Sequence, residues 1–472
     1  MPRRGEWLQW SAIVLLHALL FVGLYQSGFT RDEVRALVKP GPYKLVEPYL
    51  RAAERYGPWG PVRVYFFGEG DERLYLEYAR LLLQGELDLS HVEKIQHRSA
   101  AEAELPSRAW PYRDVTVEYP PLAFLAFVPP ALFSTDYAVY RHLFAAWMLI
   151  LHLFNLWLAV RLLKPGAALL AVPRLGWASL VFCALLGRVV ATRMDHLVVT
   201  LTLVCVWAGT RALSRDGARE RLNWAALGGL LGALGVMVKL VPGVGFLAVL
   251  VGYARSNAPD RLRLAAIGCG AAGLLLLALN LPVVAFAGAR YLESFRYHTL
   301  RGVQIESLYA GVLMLFHALG LPARVEESFG SANLETSLTP AIKLLSPLLF
   351  VACCAWICTR RWRAEPRSLA LCATALLLGY MLTSRVFSPQ YLIWIAAPLL
   401  AAGALDEPGG LWRAGVRLLS FVALLSQLIY PQGYPVLKAF HPLAVLLLDL
   451  RNVCLIWLLF GSVRLGLAQR NT

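Results

Sequence analysis

The chain has 472 residues, 58% of them hydrophobic and 16% charged, with a net charge of +15. Ordinary globular proteins carry ~25% charged residues, so this composition excludes a string of soluble domains and makes the bilayer the solvent. The basic excess does not describe a nucleic-acid surface, which needs one contiguous face. Here the arginines sit in short clusters between apolar stretches: Arg211, Arg215, Arg219 and Arg221; Arg255, Arg261 and Arg263; Arg360, Arg361, Arg363 and Arg367.

In chain order, Met1-Pro2-Arg3-Arg4 leads into an apolar run, Trp7–Tyr25, that lacks a small-residue cleavage site and reads as a retained signal anchor with its N-terminus inside. Residues 26–118 follow as the one long polar segment, with 13 Lys/Arg and 15 Asp/Glu. Basic residues concentrate elsewhere, which places this loop outside under the positive-inside rule. The helical spacing of Arg73–Gly85 predicts that it is folded. Residues 119–133 are apolar but short, and Pro120, Pro121, Pro129 and Pro130 break them, so a re-entrant or half-buried helix beside a cavity is expected. Further spans are expected near 137–163, 168–188, 196–213, 223–238, 241–254, 262–288, 341–359, 368–384, 391–405, 414–430 and 441–463. With the anchor this makes about twelve, both termini cytoplasmic. The fold class is all-α: a polytopic transmembrane helix bundle forming one membrane-embedded domain over residues 1–472, with a structured first extracytoplasmic loop. All eight cysteines lie in apolar stretches, and their spacing indicates neither a disulfide framework nor a zinc site.

Polar residues at the outer ends of these spans need explanation. Five groups fall on that side: Gly70-Asp71-Glu72-Arg73, Glu118-Tyr119-Pro120-Pro121, Arg193-Met194-Asp195-His196, Tyr297–Ser307, and Arg385–Tyr391 with Gln390. Asp71 and Glu72 open a helical run, where the plain reading is that acids favour a helix N-terminus. Glu118 abuts the Pro-Pro entry into the membrane. His298, Arg301, Gln304 and Glu306 lie within a few residues, and helical spacing would put His298 and Arg301 on one side. A guanidinium there can grip a phosphate or snorkel to the interface. Lys239 lies between apolar neighbours, where an unpaired charge costs ~2.5–3.5 kcal/mol, so it must find a partner or water. Arg193 and Asp195 taken alone read as a structural ion pair. No acid is near Arg385 in sequence, which suits an anionic ligand.

With these residues in view, the chain resembles the integral-membrane glycosyltransferases of the C-type (GT-C) fold, most closely the bacterial polyprenol-phosphate-mannose-dependent family 87. The resemblance runs through DERLYLEYARLLLQG, VEYPPLAFLAFVPP, VKLVPG, RGVQIES and FSPQYLIWIAAPLL in that order. It implies a multi-pass protein of the bacterial cytoplasmic membrane. That protein would move a sugar, mannose or a related hexose or pentose, from a polyprenyl-phosphate donor to a glycolipid or glycan acceptor on the extracytoplasmic face. Carried onto this sequence, Asp71 would be the general base of an inverting displacement, and Arg301, with Arg385, Lys239 or His298, would stabilise the leaving phosphate. The first loop is longer than the family's usual spacing, which puts the usual acceptor in question. It has no Asp-x-Asp pair beside Asp71, so no metal ion or other cofactor is expected. A transporter or flippase for a lipid-linked or anionic substrate is the main alternative, since broken helices and buried charges also mark substrate paths. The absence of two related halves and the long structured loop argue against it. A non-catalytic scaffold would not explain why the polar residues collect on one side.

Overall fold

The computed structural model describes residues 4–27, 47–65, 71–88, 106–169, 172–405 and 411–467. Gly70 and much of the polar stretch before Trp110 lie outside the described residues. The first helix, α1 (Arg4–Ala18), continues through a π turn, Leu19–Leu24. The polar loop contributes α2 (Glu47–Tyr56), α3 (Trp59–Tyr65) and α4 (Glu72–Leu83). A 3-10 turn over Pro121–Ala123 then leads into α5 (Phe124–Ala131), eight residues that pack against α4.

The remaining helices are α6 (Tyr137–Leu163), α7 (Pro173–Leu186), α8 (Val189–Thr192), α9 (Asp195–Leu213), α10 (Ala218–Val238), α11 (Gly243–Arg255), α12 (Arg261–Ala287) and α13 (Arg290–Leu300). They are followed by α14 (Leu308–Ala318), α15 (Thr339–Cys358), α16 (Pro366–Thr383), α17 (Tyr391–Leu405), α18 (Leu411–Gln427), α19 (Tyr434–Lys438) and α20 (Pro442–Leu467). In hydrocarbon the backbone must satisfy its own hydrogen bonds, which is why apolar runs of this length become helices. Local chemistry sets their ends. The Asp136 carboxylate accepts from the Val139 N–H at the start of α6, and the Ser307 hydroxyl accepts from the Ala310 N–H at the start of α14. Proline occupies an opening position of α7, α15 and α16, where its missing N–H costs nothing.

Each of the twelve expected segments contains a helix. Among the described residues, eight helices are long and apolar enough to cross a membrane: Gly5–Leu24 together with α6, α9, α10, α12, α15, α16 and α20. The other four expected segments hold the shorter α7, α11, α17 and α18. The protein is thus an all-α polytopic membrane protein, with α6, α9, α16 and α17 at its centre. The helices α12 and α15 turn large side chains such as Leu274 and Leu344 outward.

α10 and α11 fold back on one another at Lys239–Pro242, with Gly232 against Phe246 and Gly235 against Pro242. This puts Lys239 at the tip of a helical hairpin rather than within a span. One small sheet was not expected: β1 (Val303–Gln304), β2 (Ala323–Ser328) and β3 (Ser331–Thr336), antiparallel in the order β1-β3-β2. Val303 pairs with Leu334 and Gln304 with Asn333, while β2 and β3 close a hairpin through Phe329 and Gly330, both at positive φ.

Candidate active site

The turns at one end of the bundle bring together side chains from segments far apart in sequence. Asp71 immediately precedes α4, but its carboxylate does not cap that helix; it is buried and forms an ion pair with Arg193. The helix-N-terminus reading therefore does not account for its side chain. Glu72 is taken by another cation, the buried Arg188, at 2.6 Å, with the Tyr137 hydroxyl 3.4 Å away. Arg188 and Arg193 flank the short helix α8 that follows α7. Gly187 ends α7 at a φ of 75°, a conformation that favours glycine, and releases the chain into α8.

Arg193 and Asp195 are therefore not partners of each other. The Asp195 Oδ1 accepts from Lys239 Nζ at 2.8 Å and from the Trp394 indole at 2.6 Å. Lys239 also lies over the rings of Tyr391 and Trp394, at 5.6 and 5.1 Å, and these two rings stack on each other. The partner required for a lysine in apolar surroundings is thus a carboxylate and two aromatic faces. His196 turns away from this group: its Nε2 lies 2.9 Å from the Val190 carbonyl, and its ring packs edge-on against His152.

The segment after α13 is not helical. The helix stops at Leu300, and the backbone of Arg301 is extended, so His298 and Arg301 do not share a helical face. His298 Nε2 meets the Glu118 carbonyl oxygen at 2.8 Å, tying this segment to the Pro-Pro entry, while Arg301 donates to the Ser331 hydroxyl on β3. Tyr119 packs edge-on against Tyr75 and Phe127. Arg385 donates to the carbonyls of His298 and Thr299 at 2.8 Å each, capping the C-terminus of α13, where a cation is favoured. That interaction gives Arg385 a structural task which its sequence neighbourhood did not reveal. Partial burial and then the like charge of Arg301 push its guanidinium below the ordinary value.

Gln304 is fixed by its N–H to the Arg385 carbonyl and donates its amide to Glu306 at 3.3 Å. Burial pushes the Glu306 carboxyl up to about 7, while Arg451, Gln304 and Arg193 pull in the opposite direction. Arg451, fully buried on α20, donates to the Glu306 carbonyl and stands over the Phe387 ring. Gln390 accepts from Ser388 beside it. Among the described residues, Asp195 Oδ2, Gln304 Oε1 and Glu306 Oε1 are buried acceptors without a hydrogen-bond partner.

Arg188, Trp394 and Arg451 also belong to the site, although none of them was expected from the sequence. Arg451 carried a signal, since a charge ten residues into an apolar span marks a functional or paired site by default. Arg188 and Trp394 gain their roles from tertiary partners that no local pattern announces.

The model for glycosyltransferase family 87 matches residues 117–389, a stretch that holds these groups except Asp71, Glu72 and Tyr75 before it and Gln390, Tyr391, Trp394 and Arg451 after it. The chain belongs to glycosyltransferase family 87. It is therefore a multi-pass membrane glycosyltransferase, which decides between glycosyl transfer and transport. No curated protein and no solved structure matches the chain. Because the match begins after Asp71, the case for that residue rests on its geometry and on the resemblance read from the sequence.

Proposed function

We propose that the protein transfers a sugar from a polyprenyl-phosphate donor to an acceptor hydroxyl on the extracytoplasmic face, with Asp71 as general base. The observation that carries this reading is the Asp71 carboxylate itself. It is drawn off its own helix by Arg193, which stands two residues before the Asp195 that pairs with Lys239. In the step proposed, the acceptor oxygen attacks the anomeric carbon as its proton passes to Asp71. The bond from that carbon to the phosphate oxygen breaks on the opposite side, and the configuration inverts.

The leaving phosphate gains negative charge, and Arg301, Lys239 and His298 are the groups suited to receive it. Arg385 would hold the turn that presents Arg301. The acceptor oxygens of Asp195 and Gln304 that lack a hydrogen-bond partner suit sugar hydroxyls, which donate, and the Tyr391–Trp394 stack offers an apolar face. Glu118 and Tyr119 line the approach from the Pro-Pro entry. No step in this scheme calls for a metal ion. Mannose is the sugar the resemblance favours, and a glycolipid or glycan is the acceptor class.

The test is to incubate detergent-purified protein with radiolabelled polyprenyl-phosphate sugars and membrane lipid extract, wild type beside Asp71→Asn. Labelled product from wild type should fall at least ~100-fold in a variant that elutes and melts like wild type. Equal transfer by both would remove Asp71 from the role and move it to Glu118.

A further inference from the structure

A second group of ligating side chains lies in the bundle, on the far side of His196, whose ring packs against His152. His17 on α1, His152 on α6 and Cys183 on α7 are all buried, and their nearest nitrogen and sulfur atoms lie within 4.8 Å of one another. Three helices supply one ligand each, so no sequence spacing announces the group. Close packing brings them together: Gly176 on α7 sits against Ile13 and Trp10 of α1, which carries the next turn of α1, with His17, up to Ser179.

We propose that His17, His152 and Cys183 bind one soft d10 metal ion, with copper(I) the best fit. Three observations support it. His17 Nδ1 lies 2.8 Å from the Ile13 carbonyl oxygen, which can only accept, so the ring proton is on Nδ1 and the Nε2 lone pair points into the group. Fixing a ligand imidazole through its other nitrogen is the usual arrangement at metal sites. The His152 Nε2 to Cys183 Sγ distance is 3.7 Å. Ligand bonds of ~2.0 Å to nitrogen and ~2.3 Å to sulfur place the two atoms about 3.5–3.7 Å apart between tetrahedral and trigonal angles. Both Nε2 atoms also converge on one small hydroxyl, Ser179 Oγ, at 3.2 and 2.7 Å, one helical turn before Cys183.

The charge of the surroundings selects the ion. Binding releases the thiol proton to solvent, and a monovalent ion with one thiolate and two neutral imidazoles is neutral overall. A divalent ion would leave a net positive charge in an apolar bundle, which is costly. Two nitrogens and one soft sulfur suit copper(I), which accepts three ligands. The ion would brace the end of α7, one turn before Gly187 and the short α8 that Arg188 and Arg193 flank.

The test loads purified protein with copper(I) or zinc(II) under reducing conditions, washes it with a chelator, and counts metal by mass spectrometry. Wild type and Ser179→Ala should each hold about one copper per chain, and Cys183→Ala and His17→Leu about a tenth of that or less. A copper–sulfur component in the X-ray absorption of wild type, absent from Cys183→Ala, should accompany it. One zinc per chain lost in the same variants would uphold the site and overturn the charge argument for copper. Wild type holding no more of either metal than Cys183→Ala would overturn the proposal, leaving Ser179 as the hub of a hydrogen-bonded cluster. In that case Ser179→Ala would unfold at lower temperature than wild type, with no metal-dependent difference. Because metal is counted directly, this result is independent of whether Asp71 is the base.

Discussion

Glu306 is the residue at which burial and charge disagree most visibly. Its ordinary value is 4.5, and burial holds it at about 7 against the pull of Arg451, Gln304 and Arg193. Between those values the folded chain keeps a proton that the unfolded chain has lost. The stability this group contributes is thus complete below pH 4.5 and is lost as pH rises through 7. At ~1.4 kcal/mol per unit the effect is roughly 3 kcal/mol. Melting temperatures of wild type should therefore fall between pH 5 and pH 8, and those of Glu306→Gln, which cannot ionise, should fall less. Parallel curves for the two proteins would show that Arg451 keeps Glu306 ionised throughout. Lys239 was legible as a charge requiring a partner, because its neighbours Val238 and Leu240 are apolar. That the partner is Asp195, and that Asp71 claims Arg193 instead, depends on the fold of three separate turns.

At the scale of elements, helix positions were legible because hydrocarbon allows little else, and the twelve expected segments each hold one. The sheet was not. Its strands are six residues or fewer, and their signal is a short alternation, Val325, Ala332 and Leu334, around Phe329-Gly330 in a two-residue turn with positive φ. That pattern is easily lost between apolar helices, yet β3 is the strand that holds Arg301 and Gln304 in place. Close helix packing gives a sharper prediction. A Cβ at Gly229 on α10 would stand 2.0 Å from the Gly268 carbonyl oxygen of α12, whereas one at Gly270 would meet nothing within 4 Å. Gly229→Ala should then force the two helices apart and cost ~1–3 kcal/mol, the range for overpacking. Gly270→Ala should melt like wild type. Thermal unfolding in one detergent compares them, and equal melting would mean that α10 and α12 are not in contact at these glycines.

For the whole molecule, alternation of direction along the bundle explains why five polar groups expected on one side do meet there. Asp71, Asp195 and Tyr391 stand at the starts of their helices and Arg301 at the end of α13, while the basic clusters lie at the other ends of the spans. There Arg221 pairs with Asp260, and Arg255 donates to the Thr359 carbonyl. Lys/Arg-rich connections stay in the cytoplasm, so the end bearing Asp71, Arg301 and the β2–β3 hairpin should face outward. That orientation also fits a lipid-linked donor used outside the cell. It can be read from alkaline phosphatase inserted in the chain, since that enzyme needs disulfides that form only in an oxidising compartment. Insertion at Gly330, the tip of the hairpin, should give an active phosphatase, and insertion at Asp216, between α9 and α10, an inactive one. The reverse pattern would turn the bundle over and place the Asp71–Arg193 pair in the cytoplasm. A soluble nucleotide-sugar would then become the more reasonable donor, and the search for substrate would begin there.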